Sequence, residues 1–106
     1  MLLKYDMYMT EAAVVASLKR LINQTYKLLP TREEGADWAT PLSTINEEIA
    51  GMARLFVEQH HSVFFPLICK MEGLFDLTEE DDFLLFRRII FECLSLLSQL
   101  IKICQD

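Results

Sequence analysis

Apolar residues recur at alternating threes and fours along most of this chain, the interval that lines one face of an α-helix. From Thr10, "TEAAVVASLKRLINQTYKLLP" sets Glu11, Val15, Leu18, Ile22, Thr25 and Leu29 on one stripe. Val14 and Leu21 flank it, and Lys19, Arg20, Asn23 and Gln24 fall elsewhere. The spacing predicts a first helix that Pro30 ends, because proline has no N–H for the helical ladder. The opening nine residues fit two patterns. Leu3, Tyr5, Met7 and Met9 alternate as a strand does, while Leu2, Tyr5 and Met9 would extend the helix. With no second strand to pair with, the helical extension is the expectation.

"PTREEGADWA" reads as the one clear loop. Asp37 or Thr40 then caps a second helix, with Pro41 in its first turn where no donor is missed. Leu42, Ile45, Ile49, Met52 and Phe56 give it a regular core stripe. Small residues cluster at Ala50, Gly51 and Ala53, and again at Ala12, Ala13 and Ala16. Small side chains let helix axes approach, so these two segments are expected to pack on each other. Ser62 caps a shorter third helix to about Leu74, with Pro66 near its start and Gly73 at its weak end.

The fourth helix carries the strongest pattern. Leu77-Thr78-Glu79-Glu80-Asp81 reads as a capping box with Asp in the third place after Thr78, and its acids complement the helix dipole. Phe83, Phe86, Ile90, Cys93, Leu97, Leu100 and Cys104 then form an unbroken seam. Leu84, Leu85, Ile89, Phe91, Leu94, Leu96 and Ile101 cover much of the remaining circumference, so this helix is expected to be enclosed. The sum is one all-α domain over residues 1–106. It is a four-helix bundle of three long helices and one short, with the C-terminal helix central. A homodimer would cover whatever the short third helix leaves open.

Composition sharpens this reading. A 52% hydrophobic content over 106 residues is hard to hide in one small domain, which also favours self-association. Sixteen acidic residues against 10 basic ones give a net charge of -6. An acidic chain is a poor match for nucleic-acid phosphates, so nucleic acid is an unlikely partner and a basic protein a better one. Lys19, Arg20 and Lys27 make a modest basic strip best read as a solvated helix face. The alternative is a helical nucleic-acid accessory protein.

Cys69, Cys93 and Cys104 lie in apolar surroundings without a CxxC pair, as reduced core thiols of a cytoplasmic protein do. "MLLKYDMYM" has no basic n-region or small-residue cleavage site, and charges interrupt the longest apolar run. Neither a secretory signal nor a membrane span is expected.

Candidate chemistry is sparse. Glu58-x-x-His61 has the spacing of a ligand pair in di-metal carboxylate bundles, and Glu47 or Glu48 could add a carboxylate. The pair occurs once and falls where the second helix should end, so an interhelical turn explains it better. Glu79-x-x-Asp82 resembles half of the acidic motif of all-α, magnesium-dependent nucleotide pyrophosphohydrolases. The matching half should end in an acid three residues beyond a glutamate pair, and in "NEEIAGM" that place is Gly51. No catalytic residue, metal site or cofactor is therefore assigned, and a metal-dependent enzyme is the second reading. Arg87 and Arg88 interrupt the apolar fourth helix. One can pair with Glu92 and anchor the bundle's register, or both can meet a partner. Trp38 offers the same choice between a staple on the core and an exposed anchor. The leading expectation is a small acidic interaction protein, a regulator or inhibitor acting by contact.

Overall fold

The computed structural model describes residues 11–55 and 61–105, and every described helix belongs to one bundle. Its elements are α1 (Glu11–Tyr26), α2 (Leu28–Glu33), α3 (Ala39–Leu55), α4 (His61–Leu74) and α5 (Phe83–Gln105). A single 3-10 turn, Glu80–Asp82, leads directly into α5. No strand occurs among the described residues. The expectations for Met1 to Met9 and for Phe56 lie outside them.

Four long helices form a ring. α5 packs most extensively on α1 and then on α4, α3 closes the ring against α4 and α1, and α3 sits diagonally across from α5. Tyr26 meets Phe91, while Ala12 shares a groove with Gln105. Ascending positions on α1 thus meet descending positions on α5, which makes the pair antiparallel. The bundle measures 45 × 21 × 21 Å. At the helical rise, α5 alone spans about 35 Å of that length.

The stripes become the core almost as spaced. Leu42, Ile45, Ile49 and Met52 of α3 are buried, as are Phe86, Ile90, Cys93, Leu97, Leu100 and Cys104 of α5. On α1 the buried line is Val14, Leu18, Leu21 and Thr25, with Val15 beside it and Ile22 half-buried, and Leu28 and Leu29 of α2 continue it. The flanking residues Val14 and Leu21 are therefore its centre. Val63, Phe64, Leu67, Met71 and Leu74 bring α4 in. A fully buried aliphatic or aromatic side chain contributes about 1.5–3 kcal/mol, so these four rows carry the fold.

Several local expectations are corrected. Pro30 does not end the first helical segment but lies inside α2. Its missing N–H frees the carbonyl of Tyr26, so the break falls one turn earlier, at Lys27. Past the end of α2 the chain turns at Gly35, whose φ of 75° suits glycine. The Gly35 N–H donates to the Arg32 carbonyl and the Ala36 N–H to the Thr31 carbonyl, both at 3.0 Å, which is a Schellman close. The loop therefore shrinks to residues 34–38.

Asp37 is the cap of α3, its Oδ1 accepting from the N–H groups of Ala39 at 3.0 Å and Thr40 at 3.2 Å. The first ladder bond runs from Leu42 N–H to the Trp38 carbonyl, so Pro41 lies upstream and costs none. α4 begins at His61, which places Ser62 inside the helix and Pro66 past its first turn. The box before α5 closes one residue later than spaced: the Glu79 N–H donates to Asp82 Oδ2 at 3.2 Å, and the Asp82 N–H to the Glu79 carbonyl at 3.0 Å. Ala12, Ala13 and Ala16 face outward, and a Cβ added at Gly51 would meet nothing within 4 Å. The small residues therefore do not make a close helix crossing. Ala53 alone among them enters the core.

Candidate interaction surface

Among the described residues, two ion pairs bridge neighbouring helices of the ring. The Arg20 guanidinium donates to both carboxylate oxygens of Glu48, tying α1 to α3, with the Nη1 bond at 3.1 Å. The hydrogen bond to Glu48 raises the Arg20 pKa above its ordinary value against desolvation, and the Glu48 charge adds a smaller rise. Glu48, one candidate carboxylate for a metal, is thus already engaged. Lys70 Nζ reaches Glu92 Oε1 at 3.0 Å and ties α4 to α5. Glu92 is therefore paired across helices, not with Arg88 along its own.

A third cluster, which the residue spacing does not suggest, closes one end of the bundle. Arg32 extends from α2 and donates to the carbonyls of Leu77 and Glu79, the latter at 2.7 Å. Its guanidinium sits 4.4 Å from the Phe86 ring centre, 5.1 Å from Trp38 and 6.0 Å from Phe83. Trp38 in turn meets Phe86 edge-on, with ring centres 5.0 Å apart and planes at 71°. Half-buried Trp38 is thus held on the core by its ring, and Arg32 fastens α2 to the entrance of α5.

The outer side of α5 is open, contrary to an enclosed helix. Leu84 is 76% exposed, Phe91 43% and Leu85 38%, with Ile103 further along. Arg87 and Arg88 are exposed among them. The Arg87 guanidinium lies 5.3 Å over the Phe91 ring, and Tyr26 meets the same ring edge-on at 6.4 Å. Among the described residues, no ion pair reaches Arg88. Phe65 on α4 is 70% exposed.

The chemical candidates separate differently. Glu58 lies outside the described residues, and His61 enters only as the first residue of α4. Among the described residues, no three His, Cys, Asp or Glu side chains are grouped to hold a metal ion. The Glu79 and Asp82 backbones and the Asp82 carboxylate are committed to starting α5. Cys69 is exposed on α4 and is not a core thiol; Cys93 and Cys104 are buried as spaced. Burial pushes the Cys93 thiol up to about 12, with Lys70 opposing and Glu92 adding to the shift. Such a thiol is no nucleophile at neutral pH.

Open grooves occur among the described residues. One of about 400 Å³ is lined by Gln24, Lys27, Leu28 and Thr31 against Pro41, Thr44 and Ile45. The hydroxyls of Thr31 and Thr44 donate to the carbonyls of Lys27 and Thr40, at 2.7 and 3.3 Å. Another, of about 600 Å³, has Lys19 and Gln105 beside Ala12, Val15 and Ala16. Both threonine hydroxyls of the first groove are thus engaged with the backbone. No helix among the described residues is long and apolar enough to cross a membrane. No protein-family model, curated protein or solved structure matches this chain.

Proposed function

We propose that this chain works by protein–protein contact, through the open side of α5. The observation that carries the reading is the strip of Leu84, Leu85 and Phe91, exposed on a well-packed helix and interleaved with Arg87 and Arg88. Apolar side chains left outside an otherwise complete core, with an arginine stacked on an aromatic ring, have the composition of an interface centre. The strip stays in place because the helix's other face is anchored by its seam and by Lys70–Glu92. A net charge of -6 favours, for the assembled protein, a target with a basic surface such as a nucleic-acid-handling protein. Regulation or inhibition by occupying that target is the activity this implies.

The test compares the native chain with L84S/F91S, both verified as folded by circular dichroism, as baits in quantitative capture. A differently tagged copy of the chain is included in the mixture. The expected result is a bound protein, this second copy included, that the native bait holds and the variant loses. Equal recovery by both baits, or none by either, overturns the reading.

A further inference from the structure

Charges around Leu84 are arranged as a palindrome. Glu80 and Asp81 precede Leu84 by four and three residues, and Arg87 and Arg88 follow it by three and four. All four are exposed, and Leu84 between them is the most exposed large apolar side chain described. The 3-10 turn Glu80–Asp82 runs straight into α5, so acids and arginines stand on one helical rod at about 5–6 Å to either side of Leu84.

We infer that the occupant of this face is a second copy of the chain, docked with its α5 antiparallel and the two-fold axis passing beside Leu84. This rests on the contact reading above and names its partner. Two copies related by such an axis set position +4 of one helix against position -3 or -4 of the other. Arg88 then meets Asp81 or Glu80 of the second copy, Arg87 meets Glu80, and each contact is repeated by symmetry. Leu84 packs on its own counterpart, and Leu85 and Phe91 widen the apolar centre. A parallel arrangement would instead bring acids to acids and arginines to arginines, so the charge order selects one orientation. An unrelated acidic partner could satisfy Arg87 and Arg88, but it would leave Glu80 and Asp81 opposed to like charge.

Light scattering and sedimentation on the full chain over a concentration series provide the test. The native protein is expected to reach twice the 12.3 kDa chain mass. L84K, which alters an exposed side chain, should stay folded and become monomeric. R87E/R88E and E80R/D81R should each raise the dissociation constant at least about tenfold, while an equimolar mixture of the two forms heterodimers, because reversal of both sets restores every pair. Circular dichroism checks that each variant is folded. A native protein that stays monomeric overturns the inference, as does a dimer indifferent to L84K or a mixture with no rescue. Capture of a different protein by a monomeric native chain, lost in L84S/F91S, removes the dimer and leaves the contact reading standing.

Discussion

Arg32 shows how much a single side chain can contribute without any signature in the sequence. It joins α2 to backbone carbonyls 45 and 47 positions away and lies among Trp38, Phe83 and Phe86. A planar guanidinium suits both tasks, since its fork donates in plane while its faces stack on rings. Hydrogen bonds from a charged donor and a cation–π contact together justify a loss of ~2 kcal/mol for Arg32→Ala in urea unfolding at pH 7. Arg32→Lys keeps the charge without the fork and should recover less than half of that loss. Full recovery by lysine would show that charge alone matters and sink the geometric argument. Nothing in "PTREEGADWA" announces this role, because partners on α5 and its entrance are brought near only by the bundle. Trp38 was legible as a two-way choice, and only its ring geometry against Phe86 shows how it sits.

At the scale of whole elements, what the sequence reveals depends on range. Stripes at helical spacing need only the helix's own periodicity, so the buried rows of α3 and α5 could be read directly from Leu42 to Met52 and from Phe86 to Cys104. Helix ends depend on competition between adjacent caps. Glu79 took the place expected for Thr78, and Asp37 the place it shared with Thr40, by geometry that spacing leaves open. Pro30 departs from its expected place for a related reason, whereas Pro41 sits in the first turn of α3 as spaced. Proline disturbs the carbonyl four residues before it, so Pro30 moved the break upstream to Lys27 and itself fell inside α2. The cap of α3 gives a pH test. The hydroxyl and then the N–H of Thr40 hold the Asp37 carboxyl below the usual carboxylate range against desolvation, with the Ala39 N–H adding least. Since the folded value lies below the unfolded one near about 3.9, the stabilisation is complete above that pH and disappears as pH falls through the folded value. Asp37→Ala should therefore lower the urea midpoint at pH 7, and its gap from the native protein should close on acidification. A gap that stays constant down to pH 2.5 would show that the carboxylate's charge contributes nothing.

At the scale of the molecule, an open α5 and a closed core make opposite demands on the same helix. Leu84, Leu85 and Phe91 face outward, while Cys93 sits two residues beyond Phe91 on the buried seam between α1 and α4. Reaching Cys93 requires those neighbours to come away from α5, so its thiol reports opening of the bundle. Cys69, exposed on α4, serves as the internal reference. A small alkylating reagent at pH 8 should modify Cys69 within the native protein and spare Cys93. Burial raises the Cys93 thiol to about 12, and the reactive species is the thiolate. Added urea should expose Cys93 together with the loss of helical signal, because the seam that covers it is the core itself. The same shift has a consequence for alkaline stability. In the unfolded chain a cysteine ionises near about 8.5, whereas the folded thiol does not until about 12. Below the lower value both states are neutral and Cys93 adds no pH dependence. Between the two values only the unfolded state gains by losing a proton, so stability falls as pH rises. Cys93→Ala creates a small cavity and lowers stability at every pH, yet it should flatten this alkaline slope. Urea midpoints from pH 7 to 10.5 for both proteins separate the two effects: a variant with the native slope would place the titration elsewhere. Rapid labelling of Cys93 without urea would mean that α5 leaves its neighbours in the native state. A dimer built on the outer side of α5 would slow that labelling further as concentration rises, linking the protection of the core to the occupancy of the surface.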